Sequence, residues 1–281
     1  MKIIESVEEM QFISNKLRKQ GHIIGLVPTM GFLHEGHLSL MRKAKKDTER
    51  LIISIFVNPT QFIAGEDYGQ YPRDIESDIK KSKEVGVDIV FHPNVDEMYS
   101  EKFYTYVNVE KITERLCGRS RPGHFRGVAT VVAKLFNICK PHKAYFGEKD
   151  FQQLLVIKKM VKDLNMDVEV IGLPILRESD GLAMSSRNSY LSKEERLSAL
   201  SLNRALKRAE DMIKKGEFNA KIIMDEMERI IKSEKRTVID YIDICNPETL
   251  EPFNVIEDKA LIAVAVTIGK ARLIDNCVVY V

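Results

Sequence analysis

Two histidines, His34 and His37, stand three residues apart in the stretch 28–37, after an apolar run that ends at Pro28. That spacing sets both rings on the same side of a helical turn. A strand ending at Pro28, a tight turn at Gly31 and a helix opening near His37 would leave unpaired amide N–H groups and a partial positive charge, a ready seat for polyphosphate. The imidazoles would add donors, and nearby phosphate charge would favour their imidazolium form. The plainer reading makes one histidine a turn cap and the other incidental. A zinc site is a third reading, but no further ligand follows at a persuasive spacing. No GxGxxG fingerprint marks this junction, which argues against a dinucleotide enzyme.

Two later stretches have related chemistry. After the apolar run 144–146 come Gly147, Glu148, Lys149 and Asp150. A glycine at a strand end lets a nucleotide approach the backbone; Lys149 suits phosphate and Asp150 suits ribose hydroxyls. Met184, Ser185, Ser186 and Arg187 lie in the polar loop 177–192. They offer two hydroxyls and a guanidinium to phosphate, on a segment able to close over a site. Taken singly, each is an ordinary charged turn or solvated loop. Only together do they suggest one site.

Such groups need a scaffold, and the hydrophobic pattern supplies it. Ser6 and Glu9 fit a capping box, with helical spacing from Val7 to Leu17. Apolar runs at 23–27, 51–57, 87–91, 144–146 and 168–173 alternate with helical segments at 37–46, 74–84, 128–139 and 150–164. Strands separated by helices of this length imply parallel pairing with right-handed crossovers. The expected fold is α/β, a doubly wound, Rossmann-like parallel sheet over residues 1–176. In such sheets ligands gather beyond the carboxyl ends of the strands, where each polar stretch above falls. Residues 177–281 read as a smaller α+β lid domain, with helices at 192–215 and 221–232 and strands at 238–245, 261–268 and 272–281.

Composition narrows the setting. Of the 281 residues 44% are hydrophobic and 30% charged, ordinary for a packed core, and the net charge of +2 gives no footprint for nucleic acid or an acidic membrane. The densest apolar stretch, 260–266, falls far short of the ~20 residues a spanning helix needs. Residues 1–10 carry three glutamates and no long apolar run, unlike a signal peptide. Cys117, Cys139, Cys245 and Cys277 show no CxxC spacing and read as free thiols in a reducing, cytoplasmic compartment.

The early HxGH (His34 to His37) and the late Met184–Arg187 loop, standing where a KMSKS-like loop is expected, resemble the adenylating nucleotidyltransferase superfamily. The residues between them sharpen the likeness: Phe56 to Phe62 with Asn58 and Gln61, Tyr71 to Asp74, Arg121 to Gly127, Phe146 to Gln153 and Asp180 to Ser192. Together, over at least residues 24–192, these are similar to the pantoate–β-alanine ligase family.

That resemblance implies ATP and pantoate giving pantoyl-adenylate and pyrophosphate, after which the β-alanine amine displaces AMP. It implies ATP contacts from Met30, Gly31, Phe32, Leu33, His34, Glu35, Gly36 and His37, with His37 as proton donor. Gly147, Glu148, Lys149, Asp150, Leu176, Met184, Ser185, Ser186 and Arg187 would complete the nucleotide site. His34, His37, Lys149 and Arg187 would carry the catalysis. Leu176 stands where the family often has valine, and its contact would be through backbone. Gln61, Gln153 and Asn58 would hold substrate; Arg121 and His124 are candidates for the β-alanine carboxylate. Mg²⁺ on the phosphates, no dedicated protein metal site and a homodimer are implied as well. A neutral amide suits an attacking carboxylate, because an arginine would draw off the nucleophile's charge. Two alternatives stand beside the ligase: an adenylyltransferase whose product keeps AMP, and a non-catalytic nucleotide- or RNA-binding module. Neither has a use for the two glutamines.

Overall fold

The computed structural model describes residues 1–281. They form two compact units, the first made of Met1–Thr113, Arg121–Glu148 and Gln152–Pro174, the second of Glu114–Ser120, Lys149–Phe151 and Ile175–Val281. The second unit therefore takes in two short segments from earlier in the chain, which a single change of texture near residue 176 does not reveal.

In chain order the first unit carries β1 (Lys2–Ile4), α1 (Val7–Lys19), β2 (Ile24–Thr29), α2 (Glu35–Asp47), β3 (Arg50–Ile55), α3 (Ile75–Val85), β4 (Ile89–Phe91) and α4 (Val95–Met98). A short helix of the second unit, α5 (Cys117–Ser120), precedes α6 (His124–Cys139), β5 (Lys143–Gly147), α7 (Phe151–Asp163) and β6 (Glu169–Leu173). The six strands form one sheet in the order β1-β4-β3-β2-β5-β6, and every pairing is parallel. This is the doubly wound sheet expected from the sequence. Near-continuous apolar runs in β2 and β3 are what a sheet covered on both faces requires. Val27, Leu51, Ile53, Ile55, Val90 and Tyr145 pack with Leu40 and Met41 of α2 on one side.

Strand order reverses between β2 and β5, which pair at Leu26 and Ala144. A doubly wound sheet opens a crevice at such a switch point, beyond the carboxyl ends of the strands. The chain leaving β2 is residues 30–37, and the chain leaving β5 is Gly147 and Glu148. Topology alone thus brings two motifs far apart in sequence to neighbouring strand ends.

Residues 2–4, too short to show a period, add β1 beside β4. α6 starts at His124, four residues before the helix the sequence suggests, so the Arg121–Gly127 motif wraps its first turn. The second unit places α8 (Lys193–Lys214) and α9 (Ala220–Lys232) with an antiparallel sheet in the order β7-β8-β9 (Thr237–Cys245, Lys259–Ile268, Ala271–Tyr280). The α+β texture expected there is observed. Its core joins Leu202, Leu206, Ile223 and Met227 of the helices to Ile262 and Val264 of β8. No helix is long and apolar enough to cross a membrane.

Candidate active site

Residues 30–37 are shaped by three neighbours. The Thr29 hydroxyl donates to the Ser54 carbonyl (2.7 Å) and accepts from Gly31 N–H (3.2 Å), tying the end of β2 to β3. Gly31 at φ +84° and Phe32 at φ +52° then turn the chain through the left-handed region. Asp78 of α3, 1% exposed, accepts from Phe32 N–H at 2.8 Å and Leu33 N–H at 2.7 Å, while Lys81 donates to the Leu33 carbonyl at 2.7 Å. Burial pushes the Asp78 carboxyl above its usual range, against the pull of those two N–H donors. The backbone groups of Leu33 and the Phe32 N–H are thus spent on holding the turn, and the Leu33 side chain lies in the core. These two residues hold the shape of the loop that carries the histidines.

The carboxylate of Asp78 can accept from both amides, whereas asparagine must turn an NH₂ toward one of them. Asp78→Asn removes the cost of a buried charge but leaves one N–H facing a donor. The unpaired donor dominates, and a loss of about 1–3 kcal/mol is expected, read from the denaturant midpoint.

The helix begins earlier than the sequence suggests: His34 is the N-cap of α2, not a residue ahead of it. Its Nδ1 accepts from Gly36 N–H (3.2 Å), and the Nδ1 of His37 accepts in return from His34 N–H (3.3 Å). This is a capping box with histidines in both roles, their ring centroids 4.1 Å apart. With Nδ1 of each ring taken up by a backbone N–H, Nε2 is the nitrogen left to donate. The capping role and the donor role are therefore compatible, each using its own nitrogen. Glu35, in the same turn, is paired with Arg42 (Nη1–Oε1 2.6 Å).

Asn58 and Gln61 follow β3 on the turn Pro59–Gln61, against which α6 packs closely. A Cβ on Gly127 would lie 2.2 Å from the Thr60 carbonyl, so only glycine permits that approach. The Asn58 amide, 1% exposed, donates to the Gly127 carbonyl (3.2 Å) and Gln61 Oε1 (3.1 Å), and accepts from Thr60 Oγ1 (2.9 Å) and the Tyr99 hydroxyl (2.8 Å). All four of its hydrogen-bonding positions are filled from within. Asn58 thus holds Gln61 from within the protein. Gln61 Nε2 lies 3.2 Å from Met30 Sδ, which places it against the histidine loop.

Arg121 pairs with Glu66 (Nη2–Oε2 2.8 Å) and donates from Nη1 to His124 Nε2 (2.9 Å), while His124 Nδ1–H donates to the Gln61 carbonyl (2.7 Å). Burial raises the Glu66 carboxyl, but the Arg121 hydrogen bond and charge outweigh it and hold it below its usual range. Of the two roles open to Arg121 and His124, this geometry supports the loop-holding one. Gln153 is half-buried on the first turn of α7; its neighbour Gln152 is the buried glutamine, donating to the Ile112 carbonyl at 2.8 Å.

The second unit holds Lys149, Asp150, Leu176 and Met184 to Arg187. Lys149 stands 3.9 Å from Asp150, and its carbonyl accepts from Asn276 Nδ2 at 2.9 Å. Lys149 and Ser185 line one small cavity with Ala183, Asn188 and Asp275. Met184 N–H donates to the Leu176 carbonyl (3.0 Å), so the backbone of Leu176 is engaged with the serine loop. Ser185 caps a short helical turn, accepting from Arg187 N–H at 3.3 Å, and Ser186 is buried. Arg177 grips buried Asp275 in a two-pronged pair at 2.7 and 3.0 Å and pins the loop's base to β9. Asp78, Tyr99 and Arg177 are not among the residues that the sequence singles out. The only signal for Asp78 is a charge on the inward face of α3, three residues after Ile75.

Fold and site together define a doubly wound α/β protein with a histidine-capped helix at its topological switch point. The family model for pantoate-beta-alanine ligase matches residues 2–278, and the chain belongs to that family. It is 56% identical over 281 residues to the pantothenate synthetase of Acetivibrio thermocellus, covering 100% of each chain. Among solved structures, the pantothenate synthetase of Thermus thermophilus matches with TM-score 0.94 and 45% identity over 100% of both chains. The pantoate-beta-alanine ligase of Francisella tularensis, solved in complex with beta-gamma ATP and beta-alanine, matches with TM-score 0.82 and 35% identity, covering 99% of this chain and 97% of that one.

Proposed function

We propose that this chain condenses pantoate with β-alanine through a pantoyl-adenylate, giving pantothenate, AMP and pyrophosphate. The observation that carries the reading is the convergence, at the β2–β5 switch point, of two capped histidines and a glutamine held with its NH₂ toward their loop. In the first step a pantoate carboxylate oxygen attacks the α-phosphorus, and the bond to the β-phosphate oxygen breaks. Charge builds on the leaving pyrophosphate, and the Nε2–H groups of His34 and His37, with Lys149, Ser185, Ser186 and Arg187, are assigned to stabilise it. His37 acts here as a hydrogen-bond donor. Gln61 and Gln153 orient the carboxylate with neutral amides. In the second step the β-alanine nitrogen bonds to the activated carbonyl carbon, the bond to the AMP oxygen breaks and the amine loses a proton.

Mg²⁺ belongs to the proposal. No group of three or more His, Cys, Asp or Glu side chains comes together to hold a metal ion; Mg²⁺ here would be carried on phosphate oxygens and water. When bound, it would neutralise phosphate charge. We extend the proposal to a homodimer, as the resemblance implies, and to the cytoplasm, a reducing compartment that suits four cysteines without a disulfide.

The two-step order has a direct test. With pantoate and no β-alanine, the protein should exchange labelled pyrophosphate into ATP. Exchange that starts only when β-alanine is added would exclude a free-standing adenylate.

A further inference from the structure

The contacts around Gln61 point to Tyr99 as a positioning residue: we infer that its hydroxyl, acting through Asn58, sets which end of the Gln61 amide faces pantoate. The inference rests on the assignment of Gln61 to pantoate made above. It begins from the Gly127 carbonyl, which can only accept, so the end of the Asn58 amide that faces it at 3.2 Å is the nitrogen. The other end is the oxygen, and two hydroxyls converge on it, Tyr99 at 2.8 Å and Thr60 at 2.9 Å. With Asn58 so oriented, its second N–H points at Gln61, and the end of Gln61 that faces it at 3.1 Å is Oε1. Gln61 Nε2 is thereby turned away from Asn58, on the side of Met30. A glutamine oriented this way offers an NH₂ donor, the group an acceptor-only carboxylate needs. A flipped glutamine would set an oxygen against that carboxylate.

Tyr99 is built into this arrangement. It follows α4 at the carboxyl end of β4, the strand that pairs with β3, which leads into Asn58 and Gln61. Its ring meets Phe103 edge-on at 5.0 Å and Phe56 at 6.2 Å, and the Lys134 ammonium sits 5.7 Å from its centroid. Burial pushes the phenol up to about 12, so the hydroxyl keeps its proton at working pH. No charge enters the relay, which acts by hydrogen-bond direction alone.

The test is Tyr99→Phe, which removes the hydroxyl and keeps the ring. Pantoate KM should rise roughly 2–10-fold, the consequence of one weakened hydrogen bond, with ATP KM and kcat within about twofold of the parent. The decisive arm repeats the substitution in a Gln61→Ala background, where it should add nothing to the pantoate KM. Multiplying effects in the double variant, or ATP and pantoate KM rising together, would show a general packing role and overturn the inference. If Gln61→Ala itself leaves pantoate KM unchanged, the assignment of Gln61 fails, and with it the basis for the relay; the two failures are told apart by that single variant. Should Tyr99→Phe not fold, Thr60→Val removes the other hydroxyl on the same Asn58 oxygen and should give the same pantoate-specific rise.

Discussion

Replacing His37 with alanine should lower the rate of adenylate formation by roughly 10²–10⁴-fold, the range for a lost acid or electrostatic donor at a charged transition state. The same side chain closes the capping box with His34, so a stability loss of about 0.5–1.5 kcal/mol accompanies it. The two roles use different nitrogens and can be separated. Glutamine is the usual third residue of a capping box. His37→Gln should therefore recover most of the lost stability without restoring the rate. Pyrophosphate exchange and the denaturant midpoint, measured on both variants, decide the matter. A His37→Ala protein with near-parental exchange would leave His37 as a cap alone.

Most of the scaffold is legible because its signals are local and repeat. β2 and β3 announce themselves as near-continuous apolar runs, α3 by its spacing and by Gly86 at φ +83° as a stop, α8 by the Ser192–Glu195 capping box that the structure contains. What local pattern does not show is which strands lie side by side. The β2–β5 pairing spans more than a hundred residues and is fixed by sheet closure and helix packing, not by any short motif. The excursions Glu114–Ser120 and Lys149–Phe151 are hidden for the same reason. Ser120 Oγ and the Arg272 guanidinium both reach Asp240, and neither partner is visible from residue 120 alone.

The site is legible by chemistry and illegible by support. Histidines, glutamines and a Lys-Asp turn stand out because their side chains have few reasons to follow strands in this order. The groups that orient them are chosen for fit within a crowded space. Gly127 matters because a Cβ would collide with the Thr60 carbonyl, and Asn58 because it has a carbonyl on one side and two hydroxyls on the other. From sequence, Asn58 is expected to hold substrate only because the resemblance implies it. Its saturation only becomes apparent once its neighbours are in place. The capping role of the two histidines is hidden in the same way, since the sequence shows two imidazoles but not the backbone amides that occupy their Nδ1 atoms.

The glutamine that orients the nucleophile gives the other large effect. If Gln153 aligns the pantoate carboxylate, Gln153→Glu should be worse than Gln153→Ala. Alanine removes one hydrogen bond, about 0.5–1.5 kcal/mol, with more lost if a partner is left buried. Glutamate keeps the size and sets an ionised carboxylate against the substrate's own. At ~4 Å and an effective dielectric of about 20, that repulsion is roughly 4 kcal/mol, so charge outweighs the missing bond. The side chain is half-buried on the first turn of α7, which keeps screening by solvent incomplete while leaving room for glutamate without overpacking. Nucleotide affinity should change far less, since ATP is assigned to other residues. Pantoate kcat/KM for both variants, with ATP binding by calorimetry alongside, provides the measurement. Glutamate and alanine matching on pantoate, or ATP binding collapsing in both, would remove Gln153 from the carboxylate; a glutamate variant weaker than alanine by tenfold or more on pantoate alone would fix it there.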